Sequence, residues 1–182
     1  MQANVAEPPP LGRHNHSEAQ RQDTERAAEG LLEARQLFLA FAGHLDGGSP
    51  LIEWSRELSD LHATLLTASV SETRRPQDFD NAVTRRHIQG LIGRIDEWSI
   101  LHLPRPVAAR RHTHSLGEVI SHLARTYAHA HATLRRGGSA EHLHDAALHL
   151  ARIQEGYADL LAEIRALRIE LPAAFRGPES WW

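Results

Sequence analysis

The chain has 182 residues, of which 41% are hydrophobic, 24% charged and only 5% aromatic, enough for one domain with a buried core. It contains no cysteine, which excludes disulfides, thiolate metal sites and a cysteine nucleophile. The formal net charge of −3 gives no electrostatic footprint for a nucleic-acid partner, and the 20 basic residues are all arginine. The 14 histidines imply a net charge that changes steeply between about pH 7 and 5.

Residues 1–16, with Pro8-Pro9-Pro10 and Gly12 among polar residues, read as a disordered leader without signal-peptide character. The longest apolar run, Leu37 to Ala42, is too short to span a membrane, and a reducing cytoplasm is the expected location. Residues 17–172 read as a single helical domain and residues 173–182 as a C-terminal tail.

Ser17 and Gln20 form a capping box for a first helix, predicted to run to about Leu45 with Ala27, Leu31, Ala34, Phe38 and Phe41 on one face. Asp46-Gly47-Gly48 stops it. Ser49 and Pro50 open a second helix, whose face runs from Leu51 and Trp54 to Leu65 and Ala68 until the break at 73–77. Asp78 is the expected cap of a third, with Val83, Ile88, Leu91, Ile95 and Trp98 facing inward and an end near Ile100. A loop from 101 to 114 contains Pro104 and Pro106.

Ser115 and Glu118 then form a capping box, and Glu118 suits the positive end of the helix dipole. Leu116, Ile120, Leu123, Tyr127, Ala130 and Leu134 follow at spacings of four and three, until Arg135-Arg136 and Gly137-Gly138 close the helix. Ser139 caps the last helix, which holds its apolar period from Leu143 to Leu171 before Pro172.

No segment alternates like a strand. The fold class expected is all-α, an up-and-down antiparallel bundle of five helices. The last helix exceeds its neighbours by about ten residues, roughly 15 Å, and stays apolar throughout. Something must cover those turns, and a homodimer is the expected partner.

Each candidate metal or catalytic motif has a plain structural role as well. Glu141 and His144 form a single Glu-x-x-His pair, and a ferritin-like centre needs two. Glu118 with His122, and Asp145 with His149 beside His142, have helical spacing but read as exposed side-chain pairs. His144-Asp145 resembles the dipeptide of metal-dependent phosphohydrolases, yet the only downstream aspartate, Asp159, lies on the same helix. Ser115 is accounted for by capping, and no glycine-rich phosphate loop exists. No catalytic residue, metal or cofactor is expected.

Helix direction gathers Trp54, Glu57, Arg94, Asp96, Trp98, His102, His112, His114 and Glu118 at one end of the bundle. Asp96 falls in the last turns of its helix, where the dipole disfavours an anion. It therefore wants a cation: Arg94, His112 or an arginine of the last helix. His62 and His87 sit at the edges of apolar faces and read as satisfied structural histidines.

Three segments carry a resemblance: Glu57-Leu58-Ser59-Asp60-Leu61-His62, then Arg85-Arg86 through Ile95-Asp96-Glu97-Trp98, then His112-Thr113-His114-Ser115-Leu116-Gly117. In this order the chain resembles an actinobacterial helical family, domain of unknown function family 4254, over about residues 50–170. The family has an acidic residue where this chain has His114. The resemblance implies a helical fold and no known activity. The candidate binding residues are thus Trp54, Glu57, His62, Arg86, Asp96, Trp98, His112, His114, Ser115 and Glu118. Two functions follow: a non-enzymatic protein acting through self-association or a partner, or a small-molecule or metal-binding enzyme with its site at the 99–114 loop.

Overall fold

A computed structural model describes residues 30–70, 79–106, 108–137 and 139–172. The leader, the start of the first helix at Ser17, the break at 73–77, Asp78 and the tail lie outside the described residues. Among those described, five helices pack against one another: α1 (Ala34–Phe41), α2 (Pro50–Val70), α3 (Asn81–His102), α4 (Leu116–Arg136) and α5 (Ala140–Arg165). Two short strands, β1 (Arg110–Arg111) and β2 (Ile169–Glu170), pair in parallel. No helix among the described residues is long and apolar enough to cross a membrane.

The fourth helix is the centre of the packing, in contact with the other four. Its capping box forms as the sequence demands: the Ser115 hydroxyl accepts the Glu118 N–H at 3.2 Å, and the Glu118 carboxylate accepts the Ser115 N–H at 2.9 Å. Leu116 and Ile120 lie fully inside, against Leu51 and Leu58 of α2, Leu91 and Ile95 of α3, and Leu161 of α5. Burying each such side chain contributes roughly 1.5–3 kcal/mol, more than any single cap or surface ion pair.

Several boundaries differ from the sequence expectation, each for a physical reason. The first helix is helical in the described part only over eight residues, and Gly30–Glu33 precede it as non-helical chain. Glu33 caps α1, its own N–H held at 2.8 Å by the Gln36 side chain. It stops four residues before Leu45 because Gly43 adopts φ +72°. Gly43 N–H then donates to Ala40 O and His44 N–H to Leu39 O, a Schellman closure. The cap of α3 is Asp80 rather than Asp78; its Oδ1 accepts the Ala82 and Val83 N–H groups at 2.7 and 3.1 Å. Val83, five residues and so about 140° around the helix from the buried Ile88, faces solvent rather than the core, and α3 runs two residues past Ile100.

The last helix ends at Arg165, not at Pro172. The same closure recurs there: Leu167 N–H donates to Ile164 O and Arg168 N–H to Glu163 O. Leu167 takes φ +57° at the position glycine usually fills, which is why no sequence signal marks the stop. The chain beyond it leaves the helix to pair with β1, with Arg110 opposite Ile169 and Arg111 opposite Glu170. Ile169 is buried by this pairing, worth roughly 2 kcal/mol, whereas the exposed Arg111–Glu170 ion pair at 3.7 Å is worth well under about 1 kcal/mol. Helix α5 is therefore 26 residues against 21 or 22 for its long neighbours, an excess of about one turn, not three.

Candidate functional site

A cleft of about 890 Å³ lies between α2, α3, α4 and α5 among the described residues. Its position follows from where the helices touch. At Gly117 the first turn of α4 lies directly on α3: a β-carbon there would stand 2.4 Å from the Ile92 carbonyl oxygen. Further along, the facing side chains leave space. Apolar walls come from Leu65 of α2, Ile88 and Ile92 of α3, Leu123 of α4, and Ile153 and Leu160 of α5.

Polar groups converge on this apolar lining. His62 of α2 is half-buried, and its Nε2 lies 3.0 Å from the buried Ser121 hydroxyl of α4. Around it stand Arg85 of α3 and His122, Arg125 and His129 of α4. Burial, and then the charges of Arg125, His129, Arg85 and His122, lower the His62 pKa from 6.5 to about 4. His122 is lowered as well, by burial first and then by Arg125, His149 and His114. Arg85 is steadied by Asn81 Oδ1 at 2.7 Å, and Arg125 lies 3.2 Å from His122 Nδ1. Neither arginine has a carboxylate partner among the described residues. Glu118 is the one acidic residue on the described lining, and it is engaged in the α4 capping box.

The sequence-selected residues divide into three groups. His62, His112, His114 and Glu118 do line the cleft. The His112 ring donates through Nδ1 to the His114 carbonyl at 2.7 Å, and His114 Nδ1 meets the Thr113 hydroxyl at 2.9 Å. Asp96 and Ser115 are buried structural groups. Trp54, Glu57, Arg86 and Trp98 lie away from the cleft lining: Trp54 packs on the core, Glu57 binds His87 Nε2 at 2.9 Å, Arg86 is exposed, and Trp98 stacks on His102 at 4.7 Å.

The expected cation for Asp96 is corrected. Neither Arg94, nor His112, nor an arginine of α5 reaches it among the described residues; Asp96 Oδ1 instead accepts the Gly117 N–H at 2.7 Å. The unfavourable end of α3 is offset by the favourable start of α4. Burial raises its pKa above the ordinary 3.8, against the opposing pull of the Gly117 N–H and the Ser115 hydroxyl. The 101–114 loop is tied not through Asp96 but through the ladder, where His112 N–H donates to Glu170 O at 2.9 Å.

Sequence reasoning missed Arg85, Ser121, Arg125 and His129. A signal existed: Glu118, His122, Arg125 and His129 recur at spacings of four, three and four, a polar stripe beside the apolar face of α4. The His62–Ser121 pair has the reach of a base and a nucleophile. A base with a pKa near 4 is poorly matched to neutral pH, and no carboxylate orients His62 among the described residues. No group of three or more His, Asp or Glu among the described residues is arranged to hold a metal ion. Compared with known proteins, the chain matches no family model, no curated protein and no solved structure.

Proposed function

We propose that this is a non-enzymatic binding protein that holds a small organic molecule in the cleft between α2, α3, α4 and α5. The carrying observation is that cleft: about 890 Å³, aliphatic walls, and polar groups converging from three helices. That volume lies within the range of drug-sized ligand sites, roughly 300–1,000 Å³. Binding is favoured over conversion because, among the described residues, the His62–Ser121 pair in the cleft has a weakly basic imidazole that no carboxylate orients. The site is the α2–α5 cleft, reached by His112 and His114 from the loop that follows α3.

The reading extends to architecture and setting. Short connections between long helices favour an up-and-down antiparallel bundle, and the three quoted segments favour membership of domain of unknown function family 4254. The absence of cysteine fits a reducing cytoplasm.

Nile red, a neutral dye that brightens in apolar surroundings, tests the reading. Its fluorescence should rise on binding the wild type and fall back in Leu65→Trp, which fills the cleft from α2. Equal fluorescence in both proteins, with unchanged helicity, would remove the cleft as the site.

A second reading, self-association, has its own observation. From Ala140 to Gly156 no residue of α5 is fully buried, yet Leu143, Ala146, Leu150 and Ile153 form one half-covered stripe. A second copy of the chain is the natural cover. Light scattering across a concentration series should then show a dimer that Leu150→Glu dissociates; a monomer at every concentration would reject it.

A further inference from the structure

We infer that the ligand of the cleft is an organic anion with an apolar body, a carboxylate or phosphate monoester, its charged head held beside His62 by Arg85 and Arg125. The inference rests on the reading of the cleft as a ligand site and adds the charge and shape of what enters it.

The argument is one of unbalanced charge in a confined, partly apolar space. Arg85 projects from α3 and Arg125 from α4, so two separate helices aim guanidinium groups at one cleft. Elsewhere the described arginines that reach a carboxylate do so at the surface, as Arg165 does with Glu33 and Arg168 with Glu163. Among the described residues the cleft supplies no such partner. The contacts of the two arginines there are to neutral groups, Asn81 and His122, which orient a guanidinium without cancelling its charge. Glu118 is committed to the start of α4. An anion entering here would meet fixed donors on both sides, and charge-assisted hydrogen bonds to guanidinium groups are the stronger kind.

His62 and Ser121 add neutral donors at the same place. Their 3.0 Å contact leaves a hydroxyl and an imidazole already oriented across the α2–α4 seam. A cationic ligand is disfavoured by the two guanidinium groups, which would repel it. A purely polar anion is disfavoured by the aliphatic walls, Leu65, Ile88, Ile153 and Leu160, whose burial needs an apolar body.

Matched probes with one alkyl tail separate the claims: decanoate, decyl phosphate, decanol and decylamine, each titrated calorimetrically into the full chain. At least one of the two anions should bind about tenfold or more tightly than decanol, the ratio that one good charge-assisted contact provides. The double variant Arg85→Gln/Arg125→Gln should remove that preference and leave decanol binding unchanged. Both arginines are exposed on helices, so the variant should keep its fold. Whether decanoate or decyl phosphate binds more tightly then decides between the two head groups. Equal binding of decanol, tighter binding of decylamine, or a preference that survives the double variant would overturn the anion inference and leave the cleft as a site. Binding of no probe, or binding that Leu65→Trp does not weaken, would overturn the cleft reading and the inference together.

Discussion

Asp96, on α3, closes the first turn of α4 by accepting the Gly117 N–H at 2.7 Å across 21 residues of chain. The contact joins two helices at a point where nothing larger than glycine fits. A β-carbon at 117 would meet the Ile92 carbonyl oxygen at 2.4 Å, the Ile92 α-carbon at 2.9 Å and the Asp96 carboxylate at 2.9 Å. Two of these three atoms are backbone, so a side-chain rotation cannot relieve the clash. Gly117→Ala should therefore destabilise the protein by about 2 kcal/mol or more, although alanine is the better helix former. Urea denaturation would measure it. A stability within about 0.5 kcal/mol of wild type would mean that α3 and α4 separate easily at this point.

The same contact predicts an asymmetry at Asp96 itself. The carboxylate is buried, has no cation beside it among the described residues, and is raised in pKa by burial. Its charge is thus less important than its role as acceptor. Asp96→Asn keeps an acceptor for the Gly117 N–H and should cost less than about 1 kcal/mol. Asp96→Ala leaves that N–H unpaired and should cost about 1–3 kcal/mol. The expectation from sequence of a cation beside Asp96 implies the opposite for asparagine, since a buried cation would lose its partner. A loss above 2 kcal/mol for Asp96→Asn, measured by thermal melting, would restore that premise.

The second relationship, His62 with Ser121, makes stability depend on pH. In the unfolded chain His62 takes a proton as the pH falls through 6.5, whereas the folded protein holds it neutral down to about 4. Above 6.5 both states are neutral and nothing is lost. Between 6.5 and 4 the unfolded state gains protons that the folded state refuses, so stability falls, by on the order of 2 kcal/mol after allowance for partial exposure. His122, also lowered, acts in the same direction. Asp96, raised by burial, acts oppositely: as the pH falls the folded carboxyl protonates before the unfolded one. His62→Gln should keep a hydrogen bond to Ser121 and flatten the pH 4–6.5 slope. An unchanged slope in that variant, followed by circular dichroism, would move the effect to the other histidines.

Loop anchoring is the fourth test. Ile169 is buried and pairs with Arg110, while the ion pairs nearby are exposed. Ile169→Ala should cost about 2 kcal/mol and speed hydrogen exchange at the His112 amide, whose acceptor is Glu170 O. Arg111→Ala should change stability by less than about 0.5 kcal/mol. Equal effects from the two would mean that charge rather than burial holds the loop.

Much of this protein is legible without coordinates. The capping box of Ser115 and Glu118, Pro50 at the start of α2, Ser139 at the start of α5 and most of the inward faces of α2 to α4 follow from local chemistry, although Val83 and Leu134, expected on those faces, are exposed. Each depends on residues within about one or two turns of one another, and such contacts are written directly in residue spacing. Asp78 and Asp80, two residues apart, offer the same capping chemistry to a reader of the sequence, and the structure places Asp80 Oδ1 on the Ala82 and Val83 N–H groups. The end of α5 was misread because Leu167 occupies the left-handed position without being glycine. It is held there by Ile169, whose partner strand lies 59 residues away in sequence at Arg110. What the tertiary structure alone decided is which side chains share a space. His62 meets Ser121 from 59 residues away, Arg85 and Arg125 face one cleft from different helices, and Asp96 takes an amide instead of an arginine. Residue spacing states which face of a helix a side chain occupies; the depth and rotation at which two faces meet depend on the volumes packed between them, here on a single missing β-carbon at Gly117.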